Sequence, residues 1–170
     1  AYQIGPRVLT FSTDGDEEAD DVVAISRPYM ERLADLTGES VFLGIIVGRN
    51  RVVIDKIEGT GRRVAHSQRG LAVPLHVNKA SRVLLAHLSE EEIEAYLRTA
   101  RPLADYADLF AASATETNAD VWADIHTIRE QGYIEWRNPQ MYGAAYIAFP
   151  VLDSEGRSQA VISIGAPLER

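Results

Sequence analysis

The 170-residue chain contains no cysteine. That absence excludes disulfides, thiolate nucleophiles and Cys-based zinc or iron–sulfur sites together, and it fits a reducing cytoplasm. Positive charge is also scarce: 17 Lys and Arg stand against 25 Asp and Glu, a formal net charge of −8. Phosphate binding relies on clustered cations that release counterions, and the pairs Arg62-Arg63 and Arg49 with Arg51 are too few and too dispersed to form such a cluster. Any DNA would have to be contacted by another segment. Long apolar runs are missing too. No stretch approaches the ~20 apolar residues of a membrane helix, and residues 1–10 lack the basic region and apolar core of a signal peptide. The chain reads as soluble and cytoplasmic, with no membrane partner.

Catalytic constellations are equally hard to find. His66-Ser67 invites a hydrolase reading, yet neither Ser67 nor Ser163 sits in a Gly-x-Ser-x-Gly turn. His66, His76, His87 and His126 include no His-Glu-x-x-His arrangement, so no metal centre is expected, and His76 reads as a partly buried structural histidine. Gly59-Thr60-Gly61 is followed by no Lys-Ser/Thr helix start and is therefore a loop, not a phosphate cradle. Glu90, Glu91, Glu92 and Glu94 fall at the start of a helix, where negative charge favours the macrodipole. The expectation is a protein that is not an enzyme and needs no cofactor.

What the sequence does hold is apolar material, 46% of residues, enough for one substantial core in one domain. Ala19, Val22, Val23, Tyr29, Met30, Leu33, Ala34 and Leu36 recur near a helical period over Asp16–Thr37, with Pro28 as a kink and Gly38 as a stop. Ser40–Val47 and residues 51–58 are β-rich runs joined by Gly48-Arg49-Asn50, as in a hairpin. A third run covers residues 62–68. Asn78 can cap a helix reaching Leu88, and Ser89-Glu90-Glu91-Glu92 is a capping box for a second helix to Arg98. Residues 108–118 read as loop and 119–131 as an amphipathic helix stopped by Gly132. Ala144–Leu152 and residues 158–165 form a long hairpin, with Pro150 at an edge or bulge. This order lacks the strict alternation of a parallel doubly wound sheet, so an α+β domain on an antiparallel sheet flanked by helices follows.

Several segments in this order resemble the effector-binding domain of the IclR family of bacterial transcriptional regulators. They are Tyr2-Gln3-Ile4-Gly5-Pro6-Arg7, Arg27-Pro28-Tyr29-Met30-Glu31-Arg32-Leu33 with Thr37-Gly38-Glu39, Pro74-Leu75-His76, and Leu84-Leu85-Ala86 before the Ser89 box. Ile128-Arg129-Glu130-Gln131-Gly132-Tyr133, Pro150-Val151-Leu152-Asp153 and Ile162-Ser163-Ile164-Gly165 complete the set. The resemblance implies a GAF-like α+β fold, a small organic acid as effector, and a homodimer or homotetramer. It also implies that residues 1–15 are the linker from a winged helix-turn-helix domain absent from this chain, through which DNA would be bound, and that residues 16–170 are the effector-binding and oligomerisation domain.

Carried over position by position, the resemblance implies a pocket of Ala65, Val73, Asn78, Lys79, Ala80, Trp136, Ala144, Tyr146, Ser163 and Gly165. Strand alternation independently puts Val161, Ser163 and Gly165 on one face and Ile162 with Ile164 on the other. The backbone N–H groups of Lys79, Ala80 and Ser81, after the Asn78 cap, would point at a carboxylate. Two departures from the family matter. Lys79 brings bulk and charge where small residues are usual; it could pair an acidic effector, point to solvent or obstruct the pocket. Ile134-Glu135-Trp136-Arg137-Asn138-Pro139 replaces an acidic run, and Trp136 with Tyr142 and Tyr146 adds aromatic surface suited to a flat or aromatic acid. Three functions stay in competition: a ligand-sensing regulator domain, a ligand-free oligomerisation platform, and a metabolic enzyme.

Overall fold

The computed structural model describes residues 16–60, 68–110, 115–138 and 143–168, with the backbone alone for 16–20 and 138. In order these form α1 (Asp16–Thr37), β1 (Ser40–Val47), β2 (Asn50–Ile57), β3 (Ala72–Pro74), α2 (Lys79–Leu85) and α3 (Glu90–Thr99). A 3-10 turn at Leu103–Tyr106 leads to α4 (Asn118–Gln131), β4 (Ile134–Asn138), β5 (Ala144–Leu152) and β6 (Ser158–Pro167). The strands hydrogen-bond in the order β3-β2-β1-β6-β5-β4, each neighbouring pair antiparallel. The α+β class is the one expected. Among the described residues no helix is long and apolar enough to cross a membrane.

Alternation along the strands divides the core into two layers. Met30 and Ala34 of α1 pack on Val41, Leu43, Ala160, Ile162 and Ile164. The opposite face carries α2, with α3 and α4 beyond it, where Val83, Leu84, Ile93, Leu97, Val121 and Ile125 join Val73, Ile134, Ala148 and Val161. Each large apolar side chain buried this way contributes about 1.5–3 kcal/mol. Packing matters most for α2. A seven-residue helix is too short to persist alone, but every residue from Ala80 to Leu85 is buried.

The punctuation marks act as their chemistry dictates. Gly38, at φ 72°, closes α1 with its N–H on the Ala34 carbonyl at 2.7 Å, and the Ser89–Glu92 capping box opens α3. α1 runs through Pro28 as one 22-residue helix. Pro150 lies two residues beyond the Ile134↔Ala148 pair, where β5 has no described partner on that side, and a bulge follows at Val151/Leu152.

Two elements differ from the sequence reading, and one expected run falls largely outside the described residues. α2 stops at Leu85, three residues short of the expected end, because the N–H groups of His87 and Leu88 turn back to the Leu84 and Leu85 carbonyls at 3.3 and 3.1 Å. The run at 62–68 lies, except for Gln68, outside the described residues, while the strand beside β2 is the short β3. The stretch Ile134–Asn138, which periodicity alone did not assign, becomes a strand through its ladder with β5.

A bulge in β2 has larger effects. Leu43 pairs with Asp55 and Gly44 with Val53, so Ile54 is an extra residue. Arg51 and Val53 face α2, as Gly44 does, whereas Asp55 turns to α1. There its carboxylate, 1% exposed, accepts from Arg27 Nη1 at 2.9 Å and also pairs with Arg69.

Candidate functional site

The α2-facing side of the sheet is a grid whose rows follow from the register. One row runs Gly165, Tyr146, Trp136; the next runs Phe42, Ser163, Ala148, Ile134. Then come Val53, Gly44 and Val161, and after them Val73, Arg51 and Ile46. Trp136 and Tyr146 stack, with ring centroids 5.0 Å apart and planes inclined by 13°. Phe42 and Val53 form a buried pair against which Tyr146 packs. Ser163, on the central strand β6, is 7% exposed.

Of the residues expected at a pocket, Gly165, Tyr146, Trp136 and Ser163 thus share two adjacent rows. Ala144 is fully buried at the start of β5, opposite Pro167. Val73 is buried on the far edge strand, beside Arg51 rather than beside Ser163. Ala80 is buried in α2. Asn78 caps that helix, its Oδ1 accepting the Ser81 N–H at 2.8 Å, so one of the three N–H groups expected to face a carboxylate is already occupied. Lys79 Nζ pairs with both Asp124 oxygens on α4, at 2.6 and 2.7 Å. Ala65 and Tyr142 lie outside the described residues.

Two charged features escaped the sequence reading. Arg82, fully buried in α2, donates Nε to the His76 carbonyl at 2.8 Å and pairs with Asp124 and Glu116, which ties α2 to α4. Arg51 is buried at 3% exposure and lies over Gly44, where an added Cβ would come within 2.9 Å of its Cγ and 3.3 Å of its Nη1. Its Nε donates to Ser81 Oγ at 3.2 Å, and burial lowers its pKa to about 10. The available signal was Gly44, a bare position inside a strand of large apolar residues, which marks a close approach by another group.

His76 is buried and structural. Its Nε2 donates to the Arg101 carbonyl and its Nδ1 accepts from the Tyr96 hydroxyl, both at 3.0 Å. Burial holds its pKa below the usual histidine value. Among the described residues no group of three His, Asp or Glu side chains is placed to hold a metal ion. A groove of about 490 Å³ lies on the other side of the sheet, between α1 and β5–β6, bordered by Ile25, Tyr29, Leu36, Phe149, Pro150 and Val151.

Comparison with known proteins gives this architecture its family. The family model described as the C-terminal domain of the bacterial transcriptional regulator IclR matches residues 18–170. The chain is 31% identical over 150 residues to the HTH-type transcriptional regulator XynR of Escherichia coli K12, covering 88% of this chain and 58% of XynR. It therefore spans little more than half the length of that relative. The structure is similar to the C-terminal domain of the E. coli transcriptional regulator KdgR, at 26% identity and a TM-score of 0.69, over 88% of this chain and 82% of that one. It shares its fold with a double mutant of the PobR inducer-binding domain from Acinetobacter, in complex with 3-hydroxybenzoic acid, at 18% identity and a TM-score of 0.67, over 86% and 83% of the two chains. The chain belongs to the IclR family of bacterial transcriptional regulators, and it corresponds to that family's C-terminal domain.

Proposed function

We propose that this domain senses a small organic acid, aromatic or otherwise flat, within a cytoplasmic regulator that binds DNA through a segment outside these residues. Binding shifts the populations of two arrangements of a homodimer or homotetramer, and the domain itself catalyses nothing. The observation that carries the reading is the two-row patch of Ser163, Gly165, Tyr146 and Trp136 facing α2. It combines a hydroxyl, a stretch of bare backbone and flat aromatic surface at adjacent positions, the mixture suited to an apolar body with one polar end. The 3-hydroxybenzoic acid in complex with the PobR double mutant is of the same chemical class. Self-association is supported by Ile25, Tyr29 and Leu36, all at least 66% exposed along α1.

The Trp136–Tyr146 stack favours a second reading, in which the rings fill the space themselves and the domain only oligomerises. Calorimetric titration with a panel of aliphatic and aromatic acids separates the two. The sensing reading expects saturable binding of an aromatic acid, weakened by Ser163→Val. Binding of short aliphatic acids alone would overturn the aromatic assignment, and no binding at all would leave the oligomerisation platform.

A further inference from the structure

Buried charge in this protein is generally neutralised. Arg82 has Asp124 and Glu116, and Asp55 has Arg27 and Arg69. Arg51 is as deeply placed, yet no carboxylate among the described residues pairs with it, and its only side-chain hydrogen bond there is to the Ser81 hydroxyl. A cation taken out of water without a counter-charge opposes folding, so its retention calls for another account. No buried side-chain nitrogen or oxygen of the described residues lacks a hydrogen-bond partner. The two Nη nitrogens of Arg51, which have none among those residues, therefore keep a small accessible surface.

On the same face of the sheet Arg51 is a near neighbour of the Ser163 patch. The guanidinium lies over Gly44, and the next register pair on the same face is Phe42↔Ser163, about 7 Å along the strands at two residues' rise. We propose that Arg51 is the counter-charge for the carboxylate of the acid this face binds, an assignment that rests on the sensing function proposed above. Ser81 Oγ accepts from Arg51 Nε and so fixes the orientation of the guanidinium, while Phe42 and Tyr146 offer apolar surface to the remainder of the ligand. With its pKa near 10, the guanidinium stays protonated at neutral pH. Gly44 is required by this arrangement, because any side chain there would displace the arginine.

The test titrates this chain with benzoate, 3-hydroxybenzoate and pyruvate, each beside its uncharged amide, into wild type and the variants Arg51→Gln, Arg51→Lys, Arg51→Met and Ser163→Val. Wild type should prefer an acid over its amide by about tenfold or more, the change expected when a charge-assisted hydrogen bond is lost. Arg51→Gln should erase that preference, Arg51→Lys should restore part of it, and Ser163→Val should weaken acid and amide alike. Without ligand, Arg51→Met should melt a few degrees higher than wild type, about 2–4 °C, because an unpaired buried charge has gone; loss of a purely structural arginine would lower the melting temperature. Wild-type acid affinity in a folded Arg51 variant overturns this inference and leaves the sensing function standing. Failure of wild type to bind any of the six compounds overturns both. If the Arg51 variants do not fold, Gly44→Ala, which pushes on the arginine's Cγ, serves in their place with the same two outcomes.

Discussion

At the scale of single residues, the buried charges account for most of the specificity. Removing one partner of a buried, hydrogen-bonded ion pair leaves the other uncompensated, so Arg82→Met should destabilise the fold by about 3–5 kcal/mol in urea unfolding. Asp124 would keep Lys79, whereas Glu116 would lose its partner. His76 sets a pH dependence. Its pKa is lowered in the folded state, so below the unfolded value of about 6.5 the unfolded chain takes up a proton that the folded chain refuses. Stability contributed by the neutral ring is complete above that value and is lost as pH falls from there toward the folded pKa. The melting temperature of wild type should drop more steeply between pH 6.5 and 5 than that of His76→Gln; parallel curves would sink the assignment. Little of this chemistry was legible beforehand. Arg82, Asp124 and Glu116 are 34 and 42 positions apart in their pairings, and no local pattern joins them. Arg51 reads as a surface cation until β1 and β2 are paired and Gly44 falls beneath it.

Elements were read more successfully, because periodicity and caps are local. α1, β1 and the β5–β6 hairpin follow from spacing and turn residues, and the parity of β6 correctly separates Ile162 and Ile164 from the face of Val161. β4 was obscure because five residues carry too short a pattern to separate a strand from a loop without the partner strand. Two glycines test how elements are joined. Gly132 ends α4 at φ 84° with nothing within 4 Å of an added Cβ, so Gly132→Ala should cost only the backbone term of about 1 kcal/mol. At Gly59 the same methyl would meet the Glu39 carbonyl carbon at 2.4 Å and the Gly38 oxygen at 2.5 Å. Gly59→Ala must therefore move the α1–β1 connection and should cost more, about 1–3 kcal/mol. Paired urea titrations check both values, and an equal effect would contradict the distinction.

For the molecule as a whole, α1 has two roles. Its inner side closes the core over Met30 and Ala34, and its outer side presents Ile25, Tyr29 and Leu36 beside the groove against β5. If that side meets a second copy, Tyr29→Glu with Leu36→Glu should shift the mass measured by light scattering toward the monomer while leaving the circular dichroism spectrum unchanged. An unaltered assembly would move the interface elsewhere. The Arg27–Asp55 ion pair joins α1 to β2, and Asp55 reaches α1 only because Ile54 is supernumerary in β2. β2 thus behaves like a message with a shifted reading frame: upstream of Ile54 its even and odd residues address one pair of neighbours, downstream the opposite pair. Were Ile54 an ordinary member of the ladder instead, the frame would hold, the carboxylate of Asp55 would fall in the same compartment as Arg51, and two separately wired faces of the sheet would become a single self-neutralised one.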